Sequence, residues 1–384
     1  MLVRTALNEI QRGLREAPAV LLVGPRQCGK TTLARSLGSA YADLEQPGEQ
    51  VRVDATWESL LRESAPLILD EAQAWPEVFT RLRGAIDADR QRMGRFLLLG
   101  SVAPSLMTRV AESLTGRMRV VELGPLLLGE VGVDRLDDLW LLGGYPDGGI
   151  LGHAGFPRWQ RDYLQLLAAR DLPQWGLTAK PQQCDRLMTM LAAVHSEQWN
   201  ASRIGASLGM SYHTVDHQVD VLEGAGLLRR LRPWAANLGK RLAKRPKIYW
   251  RDSGLLHSLL GAGRLDAVLR QPWAGASWEG FVIEQVLGTL TAHGMRPEAG
   301  FLRVDNRLEA DLVVAMPDGP WLIEIKLTSQ VDSGDLAAVR RVADLLRPAR
   351  RILVSRMPQV IEGEGGLLLC PLPELLQRVT AALA

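Results

Sequence analysis

The chain has 384 residues, 47% hydrophobic and 23% charged, and its 45 Lys and Arg against 43 Asp and Glu leave a formal net charge of +2. That length suits two to three domains of about 150 residues, each able to bury its own core, and excludes a single small module. The aliphatic content excludes a disordered chain, and the three widely spaced cysteines, Cys28, Cys184 and Cys370, suit neither a disulfide framework nor a zinc ribbon.

No uncharged apolar run approaches the ~20 residues that span a bilayer. The N-terminal segment MLVRTALNEIQRGLREAP also lacks a signal-peptide core, so the expectation is a cytoplasmic protein with no membrane partner.

In chain order, residues 1–130 alternate short apolar runs with helical stretches. Ala19 to Val23, Pro66 to Leu69, Phe96 to Leu99 and Arg119 to Leu123 are continuous apolar runs, the pattern of parallel strands covered on both faces. Lys30 to Leu37 and Val78 to Ala88 read as helices between them, which predicts an α/β doubly wound domain. Residues 131–185 read as a helical segment, with Trp159 to Asp171 apolar at helical spacing and a turn at Gly143-Gly144-Tyr145-Pro146. Residues 186–252 hold short helices followed by a basic, strand-like stretch. Residues 253–384 open with the helix WEGFVIEQVLGTLTAHG and continue into strands near Leu308 to Ala315 and Trp321 to Lys326.

The most specific local signal is Gly24-Pro25-Arg26-Gln27-Cys28-Gly29-Lys30-Thr31, followed by Thr32, which fits GxxxxGK[ST] at every fixed position. Gly29 lets successive N–H groups face a phosphate, Lys30 reaches the outer phosphates, and the Thr31 hydroxyl is placed to ligate Mg²⁺. A strand before the loop and a helix after it supply the context that ATP binding requires. Asp70 and Glu71 end the apolar run Leu67-Ile68-Leu69, a layout in which Asp70 holds Mg²⁺ and Glu71 polarises the attacking water. Ser101 ends another apolar run, where it either senses the γ-phosphate or caps the following segment. Arg117 is the candidate arginine finger, which would act on the nucleotide of a neighbouring subunit and so implies a homo-oligomer.

Asn200 to Leu208 and Ser211 to Leu222, separated by Gly209-Met210, read as helix-turn-helix, with Tyr212, His213 and His217 presented by the second helix. Leu227 to Arg251 then carries nine cations and no acid, among them Arg229, Arg230, Lys240, Arg241, Lys244 and Arg245. Such a run suits a wing that neutralises DNA phosphates. His213 and His217 stand four apart without a third ligand, so they read as polar surface and not as a metal site. Further on, strand alternation puts Glu324 and Lys326 on one face, while Asp311 lies on the preceding strand. The two carboxylates can share a Mg²⁺, with Lys326 orienting water or stabilising a phosphorane.

Taken together, GPRQCGKTTLA, LILDEAQAWPEVFTRLRGAID, LLLGSVAPSL, SLTGRMRVVELGPL and GGYPD, then RPKIYWRDSGLL and EADLVV with IEIK, resemble the AAA-type ATPases of the AAA_14/DUF4143 family. The resemblance implies a P-loop core, a winged-helix middle and a C-terminal domain similar to the PD-(D/E)xK, or restriction-endonuclease-like, fold. It also adds Glu279 to Asp311 and Glu324 as a ligand of Mg²⁺ or Mn²⁺. The function expected is a Mg²⁺-dependent ATPase that binds DNA and couples hydrolysis to processing of branched or end-containing DNA. The alternative is an ATP-dependent switch or scaffold whose nuclease-like domain is inactive and only binds DNA or protein.

Overall fold

A strand that is apolar from end to end is stable only where both of its faces are covered. Ala19–Gly24 (β1) is such a strand, buried at every position. The computed structural model describes residues 2–38, 40–101, 113–234, 245–304 and 308–383 and sets β1 inside a five-stranded sheet. Its other members are β2 (Tyr41–Asp43), β3 (Leu67–Asp70), β4 (Phe96–Ser101) and β5 (Met118–Glu122). All pairings are parallel and the order is β2-β3-β4-β1-β5. The helices Ala6–Glu16 and Lys30–Arg35 contribute Ile10 and Leu33 to one core with Leu22, Ile68, Leu97 and Val121.

The register pairs Gly24 with Ser101 and Asp43 with Asp70, so the loop after β1, the acid of β3 and the serine of β4 share the carboxyl edge of the sheet. In open α/β sheets, that edge is where ligands bind. The parallel core is the one the apolar runs indicate. β2 is the addition: at three residues it is too short to show a period.

This sheet belongs to a unit of residues 1–126 with the pieces 224–226 and 292–294, and a second unit takes up 127–223, 227–291 and 295–384. In the second unit the helix Arg158–Leu166 runs on into a π-helical stretch, Leu167–Asp171, and Pro181–Ala193 follows. Then come Ala201–Leu208, the turn at Gly209 in the left-handed region (φ 68°), and Tyr212–Gly224. A two-stranded antiparallel hairpin of β6 (Leu228–Leu231) and β7 (Lys247–Trp250) comes next.

After the long, apolar helix Ala274–Ala292 comes a six-stranded mixed sheet of β8 (Ala299–Val304), β9 (Leu308–Met316), β10 (Gly319–Ile325), β11 (Arg350–Val354), β12 (Ile361–Gly363) and β13 (Leu367–Cys370). Its order is β12-β13-β11-β10-β9-β8, antiparallel from β8 to β10, parallel from β10 to β13, and antiparallel again at the β12 edge. Val339 and Val342 of the helix Ser333–Leu346 cover Leu302, Val313, Leu322 and Leu353 on one face of it. Among the described residues no helix is long and apolar enough to cross a membrane.

Two of the sequence motifs prove to be a single buckle within this unit. Asp252 caps the helix Ser253–Leu259 by accepting the Leu255 N–H at 2.9 Å, and its other oxygen accepts the Gly144 N–H at 2.8 Å. The fit leaves no room for side chains: a Cβ at Gly143 (φ 79°) would lie 2.2 Å from Asp252 Oδ1, and one at Gly254 would lie 2.0 Å from the Leu142 carbonyl. Burial, outweighing these N–H donors, raises the Asp252 carboxyl to about 6.

Asp252→Ala is expected to cost about 1–2 kcal/mol of stability, the loss of a cap that also serves a second donor, measured by denaturant unfolding. The folded state holds this proton to a higher pH than the unfolded state does, so its contribution is full below pH ~4 and is lost as pH rises through 6. Asp252→Asn does not titrate. Its stability relative to wild type is therefore expected to improve steadily between pH 4 and 7.

Candidate functional site

The loop between β1 and the helix Lys30–Arg35 is shaped by main-chain constraints. Gly24 must lack a side chain because a Cβ would sit 2.1 Å from the Leu123 carbonyl, and Gly29 turns the chain at φ 95°. Gln27 also takes a left-handed conformation, at φ 65°. Pro25 and Cys28 are buried, and Arg26 is partly buried with Glu45 3.7 Å away. Cys28 donates its thiol to the Leu123 carbonyl at 3.3 Å, and burial pushes that thiol's pKa up. Thr32 is exposed on the helix.

Lys30 is buried, and its ammonium donates to the Gly24 and Pro25 carbonyls at 3.0 and 2.9 Å. Next to it the Thr31 hydroxyl donates to Asp70 Oδ2 at 2.6 Å, while Asp70 Oδ1 accepts the Glu71 N–H at 2.9 Å. Glu71 occupies a left-handed conformation (φ 47°), its carboxylate accepts from the Gln73 amide, and burial raises its pKa. Ser101 is buried, level with Gly24.

These groups fit a magnesium nucleotide. A hydroxyl and a carboxylate already in contact are the hard oxygen donors that Mg²⁺ takes, and the lysine stands at the mouth of a loop of main-chain N–H groups. When bound, the ion neutralises phosphate charge. The protein groups hold their share of the chemistry in place: Asp70 fixes the Thr31 hydroxyl, and Glu71 is an acceptor for a proton at its carboxylate.

Three residues not singled out in the sequence support this site, two of them from outside the motifs. Arg4 donates to the carbonyls of Cys28 at 2.9 Å and Gly124 at 2.7 Å, the Tyr41 hydroxyl donates to Asp70 Oδ2 at 2.8 Å, and Gln73 engages Glu71. A lone arginine near the start of the chain and a tyrosine on a three-residue strand carry no local signal for this. Arg117 instead meets an acid of its own unit: its Nε and Nη2 donate to Asp87 at 2.9 Å each and hold that carboxyl at about 2. Action on a nucleotide would require this pair to open.

In the second unit the carboxylates converge on a lysine. Glu279, on the helix Ala274–Ala292, accepts from Ser196 at 2.8 Å, Tyr249 at 2.5 Å and Lys247 at 3.0 Å. Asp311 Oδ2 accepts the Ile325 N–H at 2.9 Å, and the β9–β10 register, continued by one step, sets Asp311 opposite Glu324. Glu324 is buried beside Lys326, 3.0 Å away, and Lys326 also lies 3.6 Å from Asp335. Burial, with Glu279 and Glu324 nearby, raises the Asp311 pKa well above the carboxylate range. A cavity of about 570 Å³ opens here, its lining including Asn200, Arg203, Arg245, Lys247, Glu279 and Asp311.

Glu279, Asp311 and Glu324, expected as a metal set, are met here by lysines and by neutral donors. Among the described residues no group of three or more His, Cys, Asp or Glu is arranged to hold a metal ion, and the charge facing Glu279 and Asp311 is an ammonium.

Part of the basic run meets acids from other elements. Arg229 and Arg251 both pair with the buried Glu284, the former at 3.0 Å through Nη2 and the latter at 3.1 Å. Arg230 donates to Glu223 at 2.7 Å and to Asp220. Helices elsewhere in the sequence supply the acids that the run itself lacks: a buried one for Arg229 and partly exposed ones for Arg230. Arg245 lines the cavity, while Lys240, Arg241 and Lys244 lie outside the described residues. On the helix Tyr212–Gly224, Tyr212 is exposed, its ring tilted 34° to that of His213 with centroids 3.8 Å apart, and His217 Nε2 meets the Gly176 carbonyl at 3.2 Å. Replacing Glu284 by Ala strands two guanidinium groups and is expected to cost about 3–5 kcal/mol in denaturant unfolding, with Glu284→Gln costing less.

Comparison with known proteins divides the chain in three. Residues 16–132 match the AAA domain model, 133–266 a domain of unknown function (DUF8612), and 274–375 a domain of unknown function (DUF4143). The uncharacterized proteins Rv2008c of Mycobacterium tuberculosis and Mb2031c of Mycobacterium bovis are each 38% identical over 331 residues, covering 85% of this chain and 74% of theirs. Among solved structures, a RuvB variant of Thermotoga maritima is 17% identical and covers 59% of this chain and 88% of its own, with a TM-score of 0.28. AMPPCP-bound DnaA from Aquifex aeolicus is 12% identical and covers 57% and 85%, with a TM-score of 0.25.

Proposed function

The chain belongs to the same family as the two mycobacterial proteins and carries an AAA-family ATPase-like domain, and from that premise we propose that it is a Mg²⁺-dependent ATPase whose nucleotide state governs DNA held by the second unit. The observation that carries the ATPase half is the contact of the Thr31 hydroxyl with Asp70, with Lys30 beside it on the loop and Glu71 next in the chain. Glu71 is the general base of this reading, Ser101 the neutral group at the γ-phosphate, and Arg117 the residue that acts across a homo-oligomer once released from Asp87.

The DNA half rests on the succession of Ala201–Leu208, Tyr212–Gly224 and the β6–β7 hairpin, which is the order of a winged helix, with Tyr212, His213 and Arg245 as the contact candidates. The mixed sheet, carrying Asp311 and Glu324 on neighbouring strands, supports a restriction-endonuclease-like C-terminal domain and DNA processing. A second reading, in which that domain binds without cutting, is favoured by the position of Lys247 among the acids.

Lys30→Ala is expected to abolish MgATP hydrolysis, and Glu71→Gln to lower kcat about 10²- to 10⁴-fold with nucleotide affinity retained. A coupled phosphate-release assay with a fluorescent nucleotide titration checks both, and full turnover by Lys30→Ala would end this reading. In fluorescence anisotropy with duplex and branched DNA, Arg245→Ala is expected to reduce the slope of log affinity against log salt by about one, and Tyr212→Ala to weaken binding. No DNA affinity in any nucleotide state would remove the DNA half and leave the ATPase half standing.

A further inference from the structure

Lys247 opens β7 and is only 5% exposed, yet three carboxylates from two elements surround its ammonium. Glu309 Oε1 lies 2.8 Å from Nζ, Glu279 Oε1 3.0 Å, and Asp311 Oδ1 3.9 Å. An ammonium has three protons to give. Other donors also reach the cluster: the Tyr249 and Ser196 hydroxyls donate to Glu279, the Ile325 N–H donates to Asp311, and Lys326 sits on Glu324.

Three carboxylates within 4 Å favour the ammonium form of Lys247. A divalent ion entering this centre would meet a fixed positive charge within a few ångströms. It would also have to displace donors from both Glu279 and Asp311.

We propose that Lys247 is the resident cation of this carboxylate centre, and that the C-terminal domain is in consequence a metal-free binding module in place of a metal-dependent phosphodiesterase. The proposal rests on the restriction-endonuclease-like reading above, since that reading is what calls for a metal among these acids. The hairpin lysine supplies the positive charge that a divalent ion would otherwise bring. Without a metal to polarise water and hold the leaving oxygen, neither of the metal's two tasks in phosphodiester cleavage is served. The cleft keeps its recognition groups: Arg203, Arg245 and Arg303 line it along with the neutralised acids.

The test is Mn²⁺ binding by the full-length, nucleotide-free chain, followed by electron paramagnetic resonance, with Asp70→Asn in every arm to silence the loop site. With Lys247 present, no Mn²⁺ binding that depends on Asp311 is expected. Lys247→Met is expected to create one Mn²⁺ site, and adding Asp311→Asn is expected to abolish it. Tight binding with Lys247 in place, lost on Asp311→Asn, overturns the proposal and leaves the nuclease-like metal reading standing. Absence of Mn²⁺ from both proteins overturns it as well, because the lysine would not be standing in a cation's place, and the metal reading falls with it. If Lys247→Met does not fold, Lys247→Gln takes its place, and Asp311-dependent Mn²⁺ in the arm that retains Lys247 overturns the proposal whatever either variant does.

Discussion

A charge withdrawn from water must meet its opposite or a set of hydrogen-bond partners, because the penalty for leaving it alone is several kcal/mol per ion. This chain withdraws charge repeatedly, and its architecture follows from the pairings. Lys30 rests on two carbonyls of its own loop, Asp70 takes two hydroxyls and an N–H, and Arg4 takes the carbonyls behind the loop. In the second unit Glu284 gathers Arg229 and Arg251, Asp252 gathers two main-chain N–H groups, and Lys247 gathers three acids. Apart from the grip of Lys30 on its own loop, most of these join segments distant in sequence. Those that do so fix tertiary structure at the same time as they satisfy a buried charge.

The same constraint explains why chemistry differs between the two units. At the nucleotide loop the buried groups are pre-aimed but exchangeable: carbonyls and a serine-like hydroxyl can give up Lys30 and Asp70 to phosphate and Mg²⁺ without stranding a charge. Around Lys247 the partners are formal charges of opposite sign, and removing either side leaves an uncompensated ion. The first arrangement suits a site that loads and unloads. The second suits a fixed joint.

What could be read from the residues alone followed from locality. The parallel strands of the first unit and the whole phosphate loop are contiguous in sequence, so apolar run length and motif spacing reported them directly. Asp70, Glu71 and Ser101 were legible because they end such runs. Arg4, Tyr41 and Gln73 were not, since one is far away, one lies on a strand too short for a period, and one is a side chain whose role depends on the left-handed turn at Glu71. The nine cations from Leu227 to Arg251 were read without their partners for the same reason. Charge counted along the chain misses the acids of Glu223, Glu279 and Glu284, which reach the run only through folding. Asp311 and Glu324 were placed on the correct strands, but the lysine that faces Asp311 comes from a hairpin more than sixty residues earlier.

The grip of Arg4 has a bearing on how this chain tolerates sequence drift. Its guanidinium takes the main-chain oxygens of Cys28, Gly124 and Pro125, and every residue type offers that oxygen. Exchange of the side chains at those three positions leaves the strap in place, whereas exchange of Arg4 itself removes all of it at once. A residue outside any recognisable motif thus bears the specificity, and the residues it holds inside and beside the motif are, in that respect, interchangeable.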